Sequence, residues 1–200
     1  ASHNTASGYK ALYANTTGGT NTASGYAALL TNTTGTQNVA IGNGAACLNT
    51  TGAANIAIGV CALAANTTGS NNTATGMCAL RLNTTASYNT AYGRTSLSQN
   101  TTGAGNTASG YGAMKASTTG TRNTASGFYA LKANTTGCNN VAVGACSLCA
   151  STTANDNTAI GQAALREDTT GTANTAVGRE SMRSNTTGCR NTASGFMSLF

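Results

Sequence analysis

Residues 21–37, NTASGYAALLTNTTGTQ, decide the fold, because this 17-residue unit recurs along almost the whole chain. Repeats of a fixed period indicate a stack of similar structural units, so they take precedence over local patterns. The third position of the unit is Ala and the fifth is Gly in all twelve copies. The Asn that opens each copy recurs as Asn4, Asn21, Asn38, Asn55, Asn72, Asn89, Asn106, Asn123, Asn140, Asn157, Asn174 and Asn191.

The remainder of the unit is nearly as regular. Its eighth position is Ala or Ser, and its ninth is Leu or Met except in the third copy, where Ala46 stands there and Leu48 follows two places later. Positions 12 to 15 are Asn-Thr-Thr-Gly, and both Thr are present in all eleven complete copies. The exceptions at the Asn and Gly positions are Ser117, Ser151, Asp168, Ala86 and Ala154.

The composition argues against an ordinary globular core. The 200 residues include 25 Gly, no Pro and no Trp, only 7% are charged, and much of the 40% hydrophobic content is Ala. Because Ala buries little apolar surface, such a chain either encloses a narrow interior or stays disordered. The strict periodicity favours the narrow interior.

A period of 17 residues suits one coil of a β-solenoid. Helical repeats need roughly 33 residues or more for a helix pair, and most units here carry two or more Gly and no segment of helical periodicity. We expect the Gly at positions 5 and 15 to form two corners, where positive φ favours Gly. The sequence therefore predicts an all-β fold: a parallel β-solenoid of twelve coils forming one domain over residues 1–200. We expect this domain to be a fragment of, or a unit within, a longer fibre.

Alternation along an extended segment predicts which positions face outward. If the third-position Ala points inward, positions 2 and 4 share the outer surface, and the two are apolar together in pairs such as Val39 with Ile41 and Ile56 with Ile58. We expect the interior to hold Ala, one Leu or Met per coil and one of the paired Thr, with columns of Asn forming amide ladders. Coils stacked about 4.8 Å apart would make a rod roughly 55–60 Å long.

Residues 38–42 (NVAIG), 55–59 (NIAIG) and 140–144 (NVAVG) carry a resemblance to a known family. They resemble the head repeats of trimeric autotransporter adhesins, and the whole unit is similar to repeats in phage and algal-virus tail-fibre proteins and in large microbial surface proteins. The resemblance covers essentially the whole chain. It implies a parallel β-roll, often trimeric, displayed outside a cell or on a virion. The longer period and the added Asn-Thr-Thr-Gly segment depart from the adhesin heads.

A second resemblance gives an alternative function. Antifreeze solenoids of insects present faces of Thr-x-Thr, and bacterial ice-nucleation proteins stack Thr- and Ser-rich coils of similar length. Position 2 here is Thr in nine of twelve copies, whereas position 4 varies and Tyr92 would protrude from a flat face. Thr also favours exposed strands for its β-branch alone. The candidate surface column consists of Thr5, Thr22, Thr73, Thr90, Thr107, Thr124, Thr158, Thr175 and Thr192.

The distribution of charged residues predicts a basic stripe along the rod. Ten Lys and Arg against four Asp and Glu give a net charge of +6. Half of the basic residues stand at position 10, where stacking would align them along the rod. Such a stripe could bind an anionic glycan or another polyanion. The alternative is a solvated strip that keeps rods from packing side by side. We predict no specific nucleic-acid partner. The stripe consists of Arg81, Lys115, Lys132, Arg166 and Arg183.

The seven Cys occupy variable positions, and only one pair suggests a bridge. Cys61 and Cys78 stand at the same position of adjacent copies, so a disulfide between them is a candidate. Cys146 and Cys149 have the C-x-x-C spacing but no second pair or neighbouring His, which argues against a zinc or redox site. The alternative is that all seven serve as small apolar residues.

Catalysis lacks the residues that it needs. His3 is the only His, and the acids are only Asp156, Glu167, Asp168 and Glu180, whereas general acid–base catalysis needs two titratable groups that converge on a substrate. We therefore predict no enzyme activity, no catalytic or metal-binding residues and no cofactor. No signal peptide is visible, and the longest apolar run, residues 56–65, is too short to span a bilayer.

Together these observations predict a structural or adhesive rod outside the cell, at a cell surface or on a virion. Such a rod would present columns of like side chains to a partner or to itself. We expect self-association, as a trimer or as an end-to-end fibre. A glycan or other polyanion is a candidate ligand, and ice is the candidate ligand of the alternative function.

Overall fold

The computed structural model of the chain describes residues 1–199. Each strand covers positions 2 to 4 of one repeat, and each lies 17 residues after the last. Three residues is short for a strand, and stability comes from stacking rather than from strand length. Within the described residues the twelve strands are β1 (Thr5–Ser7), β2 (Thr22–Ser24), β3 (Val39–Ile41), β4 (Ile56–Ile58), β5 (Thr73–Thr75), β6 (Thr90–Tyr92), β7 (Thr107–Ser109), β8 (Thr124–Ser126), β9 (Val141–Val143), β10 (Thr158–Ile160), β11 (Thr175–Val177) and β12 (Thr192–Ser194).

All of these strands form one parallel sheet in sequence order, from β1 to β12. Pairing is in register, with Thr107 opposite Thr124 and Ala108 opposite Ala125, so like positions stack. The prediction of a parallel β-solenoid with 17-residue coils is confirmed. We number the coils 1 to 12, coil 1 being residues 4–20 and coil 12 beginning at Asn191.

The strand pattern places position 3 inside and positions 2 and 4 outside. Ala108 is fully buried, whereas Thr107 and Ser109 on either side of it are exposed. This alternation is what a pleated strand produces when only one face is covered. The predicted outer surface shared by positions 2 and 4 is therefore confirmed.

Outside the strands the backbone still bonds from coil to coil. Leu29 N–H donates to Ala45 O at 3.0 Å and Thr33 N–H donates to Thr50 O at 2.9 Å. Gly25 N–H donates in the opposite direction, to Ser7 O at 2.8 Å. Each turn thus finds partners in the neighbouring coils, which satisfies polar groups that a narrow rod could not otherwise bury.

One of the two predicted Gly corners is wrong. Gly at position 5 has the expected positive φ, for example 134° at Gly25, but Gly at position 15 does not enter the left-handed region. A Cβ on Gly18 would lie 2.6 Å from Asn15 Oδ1, so position 15 is Gly in most coils because of close approach rather than backbone angle. Ala86 and Ala154 occupy this position in coils 5 and 9.

The other corners use ordinary residues in the left-handed region. In coil 2, φ is 55° at Ala27, 49° at Leu29 and 60° at Gln37, and positions 7, 9 and 17 repeat these values along the rod. Each such residue costs on the order of 1 kcal/mol, which the interior packing and the bonds between coils must offset. The sequence offers no sign of this, because those three positions carry no shared Gly, Asn or Asp.

The apolar interior is made of Ala at position 3, Ala or Ser at position 8 and Leu or Met at position 9. In coil 3, Ala46 is buried at position 9, and Leu48 is 48% exposed, so Leu48 does not replace the missing Leu. The predicted interior Thr is wrong in part. Position 13 is half-buried, with Thr50 Oγ1 donating to Thr67 O at 3.0 Å, and position 14 is exposed.

Two columns of Asn complete the interior, and we call them the first and second Asn ladders (positions 1 and 12). In the first, Asn89 Oδ1 accepts from the backbone N–H of Asn106 at 2.9 Å, and Asn89 Nδ2 donates across its own coil to Gly103 O at 2.9 Å. In the second, Asn49 Nδ2 donates to Asn32 Oδ1 of the preceding coil at 2.8 Å. The predicted amide ladders are confirmed.

Replacing Gly93 by Ala tests the crowding at position 5. Its φ is 123°, and a Cβ would lie 2.7 Å from Gly110 O of the next coil, so we expect Gly93→Ala to destabilise the rod by at least about 2 kcal/mol. Gly44→Ala is the matched control, because its φ of 64° is shared by Ala27 and its new Cβ would meet only Cys61 Sγ at 3.7 Å. Thermal unfolding measures both. Equal losses in the two variants would contradict this account of the corner.

Candidate binding surfaces

The outward side of the sheet, which we call the sheet face, consists of positions 2 and 4 of β1 to β12. It carries the nine predicted Thr, whose side chains range from half-buried to exposed, in a column that Val39, Ile56 and Val141 interrupt. Within residues 1–199 none of their hydroxyls makes a hydrogen bond to protein, so they are free to bind an external partner. Tyr92, 62% exposed, projects from β6 as predicted.

The sheet face also has two apolar segments. One lies on β3 and β4, where Ile41, Ile56 and Ile58 are exposed, and the other lies on β9 to β11. Exposed β-branched side chains that adjoin one another are unusual on a surface in contact with water alone and indicate an interaction site. The exposed side chains of the second segment are Val143, Ile160 and Val177.

A second Thr column, at position 14, was not singled out from the sequence. It is Thr in all eleven complete coils and exposed in each, for example at Thr102 and Thr119. The neighbouring Thr at position 13 differs, because Thr101 Oγ1 donates to Thr118 O at 3.1 Å and so links two coils. The invariance of both Thr was visible in the sequence, but only the turn geometry separates the linking Thr from the exposed one.

The five residues of the predicted basic stripe stand at position 10 of coils 5, 7, 8, 10 and 11, and they differ in their surroundings. Arg183 lies 3.2 Å from Glu180 and 3.8 Å from Glu167, so its charge is largely neutralised. Lys132 Nζ stands 4.6 Å from the ring centre of Tyr129. Arg81, Lys115, Lys132 and Arg166 form no ion pair within the described residues, and they leave most of the stripe free for an anion.

Aromatic side chains cluster beside this stripe in coils 7 and 8. The rings of Tyr111 and Phe128 stack with their centres 5.6 Å apart, and Tyr129 meets the Phe128 ring at 4.3 Å. The hydrogen-bond interaction between the Tyr129 and Tyr111 hydroxyls raises the pKa of Tyr129. Gly112 leaves space for the Tyr129 ring, because a Cβ at position 112 would collide with that ring. The cluster shows that adjacent coils can pack long side chains against each other outside the rod.

The candidate disulfide pair lies where the sequence predicted. Cys61 and Cys78 occupy position 7 of adjacent coils, and both are half-buried free thiols in the structure. Burial raises the pKa of the Cys47 thiol, and the neighbouring Cys61 adds to this. A bridge between Cys61 and Cys78 stays a prediction, which a peptide map of the unreduced protein tests directly.

The second Asn ladder is interrupted where Ser or Asp replaces Asn. The shorter Ser117 and Ser151 cannot reach the preceding or following amide, so Asn100 Oδ1 and Asn134 Oδ1 lose the partner that other coils supply. The buried side-chain atoms that make no hydrogen bond within residues 1–199 all belong to this column: Asn100 Oδ1, Ser117 Oγ, Asn134 Oδ1, Ser151 Oγ and Asp168 Oδ2. The ladder is thus the weakest part of the interior between coils 6 and 10.

Asp168 is the one acid in that ladder. Its Oδ1 accepts from Asn185 Nδ2 at 2.9 Å, as an Asn Oδ1 would, so Oδ2 stands in for an amide nitrogen. An ionised carboxylate cannot donate there, and burial raises the pKa of Asp168 to about 7 despite hydrogen bonds from Gly171 and Asn185. A neutral Asp168 imitates Asn, and an ionised one does not.

The other predicted acids lie apart from a common site. Glu167 and Glu180 are drawn to Arg183, whereas Asp156 accepts from Asn139 Nδ2 at 3.1 Å on the surface of coil 9. Within residues 1–199, no group of three His, Cys, Asp or Glu side chains is placed to hold a metal ion. No helix in that part of the chain has the length and hydropathy needed to cross a membrane.

The geometry therefore offers an uncharged sheet face, a separate Thr column and a basic stripe, each running along the rod. Comparison with family models, with curated proteins and with solved structures finds no match to this chain.

Proposed function

We propose that the chain is a rigid structural and adhesive rod, displayed outside a cell or on a virion, that presents repeated columns of side chains to a partner or to another copy of itself. The observation that carries this proposal is the unbroken first Asn ladder. It spans every step from Asn4 to Asn191 at 2.8 to 3.0 Å, so one interior column joins all twelve coils while the outward positions vary.

The hydrogen bonding of the interior favours a rigid structural role for the chain. Each coil is bonded to its neighbours by the sheet, by the turns and by Asn side chains, and successive coils differ in their outward residues. A repeat protein of this kind is stabilised by nearest-neighbour contacts, so its length can grow without a larger core. The resemblance to adhesin heads and tail-fibre repeats agrees with such a role.

Adhesion to an anionic polysaccharide is the form of this function that the basic stripe favours. Lys115 and Lys132 lie in adjacent coils and form no ion pair in the described residues, so replacing both by Gln should weaken binding to a sulfated-polysaccharide surface several-fold at low salt. Arg183→Gln is the matched control, since Glu180 and Glu167 already neutralise that charge. Binding without salt dependence would remove this ligand class, and a scattering profile unlike a rod would reject the function itself.

Ice binding is the second candidate, and the column of nine Thr with unbonded hydroxyls on the sheet face favours it. Thr107→Tyr on β7 should then abolish thermal hysteresis and ice shaping, because a ring there prevents flat contact. Thr119→Tyr, in the same coil but off the sheet face, should leave both intact. If the unaltered protein has no effect on ice growth, this candidate is rejected.

A further inference from the structure

The sheet face carries no charge at any of its 24 positions, in a chain with a net charge of +6. The Lys, Arg, Asp and Glu residues all stand at other positions of the repeat. Like charges would hold two such rods apart along the stripe and corners, but not along this face. The face is therefore a side on which a second copy can lie without facing like charge, and unlike the equally uncharged turn at positions 13 to 16 it also carries exposed apolar segments.

The two apolar segments of the face match each other when one rod is turned end for end. A two-fold axis that lies along the strands, between β6 and β7, sets β4 opposite β9 of a second copy and β3 opposite β10. Ile58 then faces Val143, and Ile56 faces Val141. Ile41 faces Ile160 in the same way, whereas Val177 faces Ser24. The apolar match therefore holds for β4 with β9 and for position 4 of β3 with β10.

The protruding Tyr92 fits the same arrangement. It lies on β6, directly before the axis, and its counterpart across the contact is Ser109 on β7, the small residue that a bulky ring needs opposite it. Sheets that pack face to face lie about 10 Å apart, which leaves room for the two Tyr rings to pass each other at the axis. Tyr92 prevents the face from being flat, but its ring fits a self-complementary contact between two copies of the face.

We propose that two copies of the chain pair through their sheet faces in an antiparallel, two-fold symmetric dimer. A contact over all twelve short strands would bury roughly 1,100 Å² in total, just above the size that separates specific interfaces from incidental ones. The pairing is isologous, so it closes on itself and leaves the basic stripes exposed. This inference rests on the proposed rod and deepens it by naming the partner.

Sedimentation equilibrium of the full chain tests the dimer. Ile58→Lys should raise the dissociation constant at least tenfold, because it places a cation against Val143 twice in each dimer. Thr68→Lys is the matched control, since it adds the same charge to the same coil at the exposed position 14 and should leave association unchanged. Equal weakening in both variants would overturn the proposal.

A photoreactive p-benzoylphenylalanine in place of Ile58 tests the orientation. Cross-links should fall on residues 141–143 and 158–160, which lie five or six coils away in the same rod and so beyond reach within one chain. In the covalent dimer, cross-links between chains to residues 39–75 would show parallel pairing and overturn the antiparallel dimer; links within one chain to these residues come from the adjacent strands β3 and β5. A strict monomer or a trimer in sedimentation would overturn it as well, and a rod-shaped scattering profile in that case would leave the proposed function standing.

Discussion

Replacing Asp168 by Asn should stabilise the rod at pH 8 and remove most of its pH dependence. The raised pKa of Asp168, about 7 against an ordinary value of 3.8, means that the folded protein binds a proton which the unfolded chain has already lost. The difference corresponds to as much as about 4 kcal/mol once the pH exceeds 7. An Asn amide in its place donates without carrying a charge.

The sign of the effect follows from the direction of the shift. Below about pH 4, both states hold the proton and Asp168 imposes no penalty. Between about pH 4 and pH 7 only the folded state stays protonated, so stability falls as pH rises, and above pH 7 the full penalty remains. Asn185 and Gly171 form hydrogen bonds to the carboxyl group, and the Cys189 thiol is a titratable group that interacts electrostatically with it.

Thermal unfolding at pH 5 and pH 8 measures this effect. The unaltered protein should melt lower at pH 8, and Asp168→Asn should melt at nearly the same temperature in both buffers. Asp156→Asn is the control, because Asp156 is exposed on a neighbouring coil and its removal should leave the slope unchanged. An identical pH slope in all three proteins would show that Asp168 is not held neutral in the ladder.

The second large effect is expected from Asn89→Ala in the first Asn ladder. The change leaves the buried backbone N–H of Asn106 without its partner and removes one of the two amides that donate to Gly103 O, where Asn100 Nδ2 stays at 2.9 Å. A buried polar group left unpaired costs about 1–3 kcal/mol and a lost hydrogen bond about 1 kcal/mol, so we expect a loss of about 2–4 kcal/mol. The damage should begin at coils 6 and 7.

Hydrogen exchange resolved along the chain measures this loss, because a stacked repeat opens locally before it unfolds as a whole. The Asn106 amide should exchange much faster in Asn89→Ala. Asn43→Ala is the matched control, since Asn43 is an exposed side chain at position 6 and its removal should leave exchange unchanged. Similar protection of Asn106 in both variants would mean that the ladder does not hold the coils together.

The architecture could be predicted because identical spacing in sequence becomes identical position in space. Ala at position 3, Leu at position 9 and the alternation of Val39 with Ile41 are enough to place the interior and the outer face. The Asn ladders follow from the same rule, because an amide both donates and accepts and so can pair with its own copy in the next coil.

The backbone at the corners could not be predicted in the same way. Leu29 and Ala27 adopt left-handed angles that their own preferences oppose, and only the closed path of the coil requires them. Gly18 was assigned to a corner because Gly permits positive φ, whereas its actual role is to let Asn15 and the next coil approach closely. A Gly can permit a positive φ or allow close approach of neighbouring atoms, and the sequence alone does not distinguish these two roles.

The repeat spacing shows which residues share a surface, but it does not show which side chains surround each of them. The shared position of the five basic residues could be read from the repeat spacing, whereas the neutralisation of Arg183 depends on Glu180 in its own coil and on Glu167 in the preceding one. The exposed Thr column at position 14 could not be recognised from the sequence, because position 13 beside it is also Thr. Asp168 and Glu167 are adjacent in the sequence, yet Asp168 is fully buried and only Glu167 points outward.

Pulsed electron paramagnetic resonance between labels on the exposed column at position 14 tests the stacking itself most directly. With the native Cys replaced, pairs labelled at Thr34 and Thr102 and at Thr34 and Thr170 are four and eight coils apart. In-register stacking predicts separations of roughly 19 Å and 38 Å, a constant step of about 4.8 Å for each repeat. Separations that do not double between the two pairs, or that grow by much more than this step, would contradict the solenoid and every column derived from it.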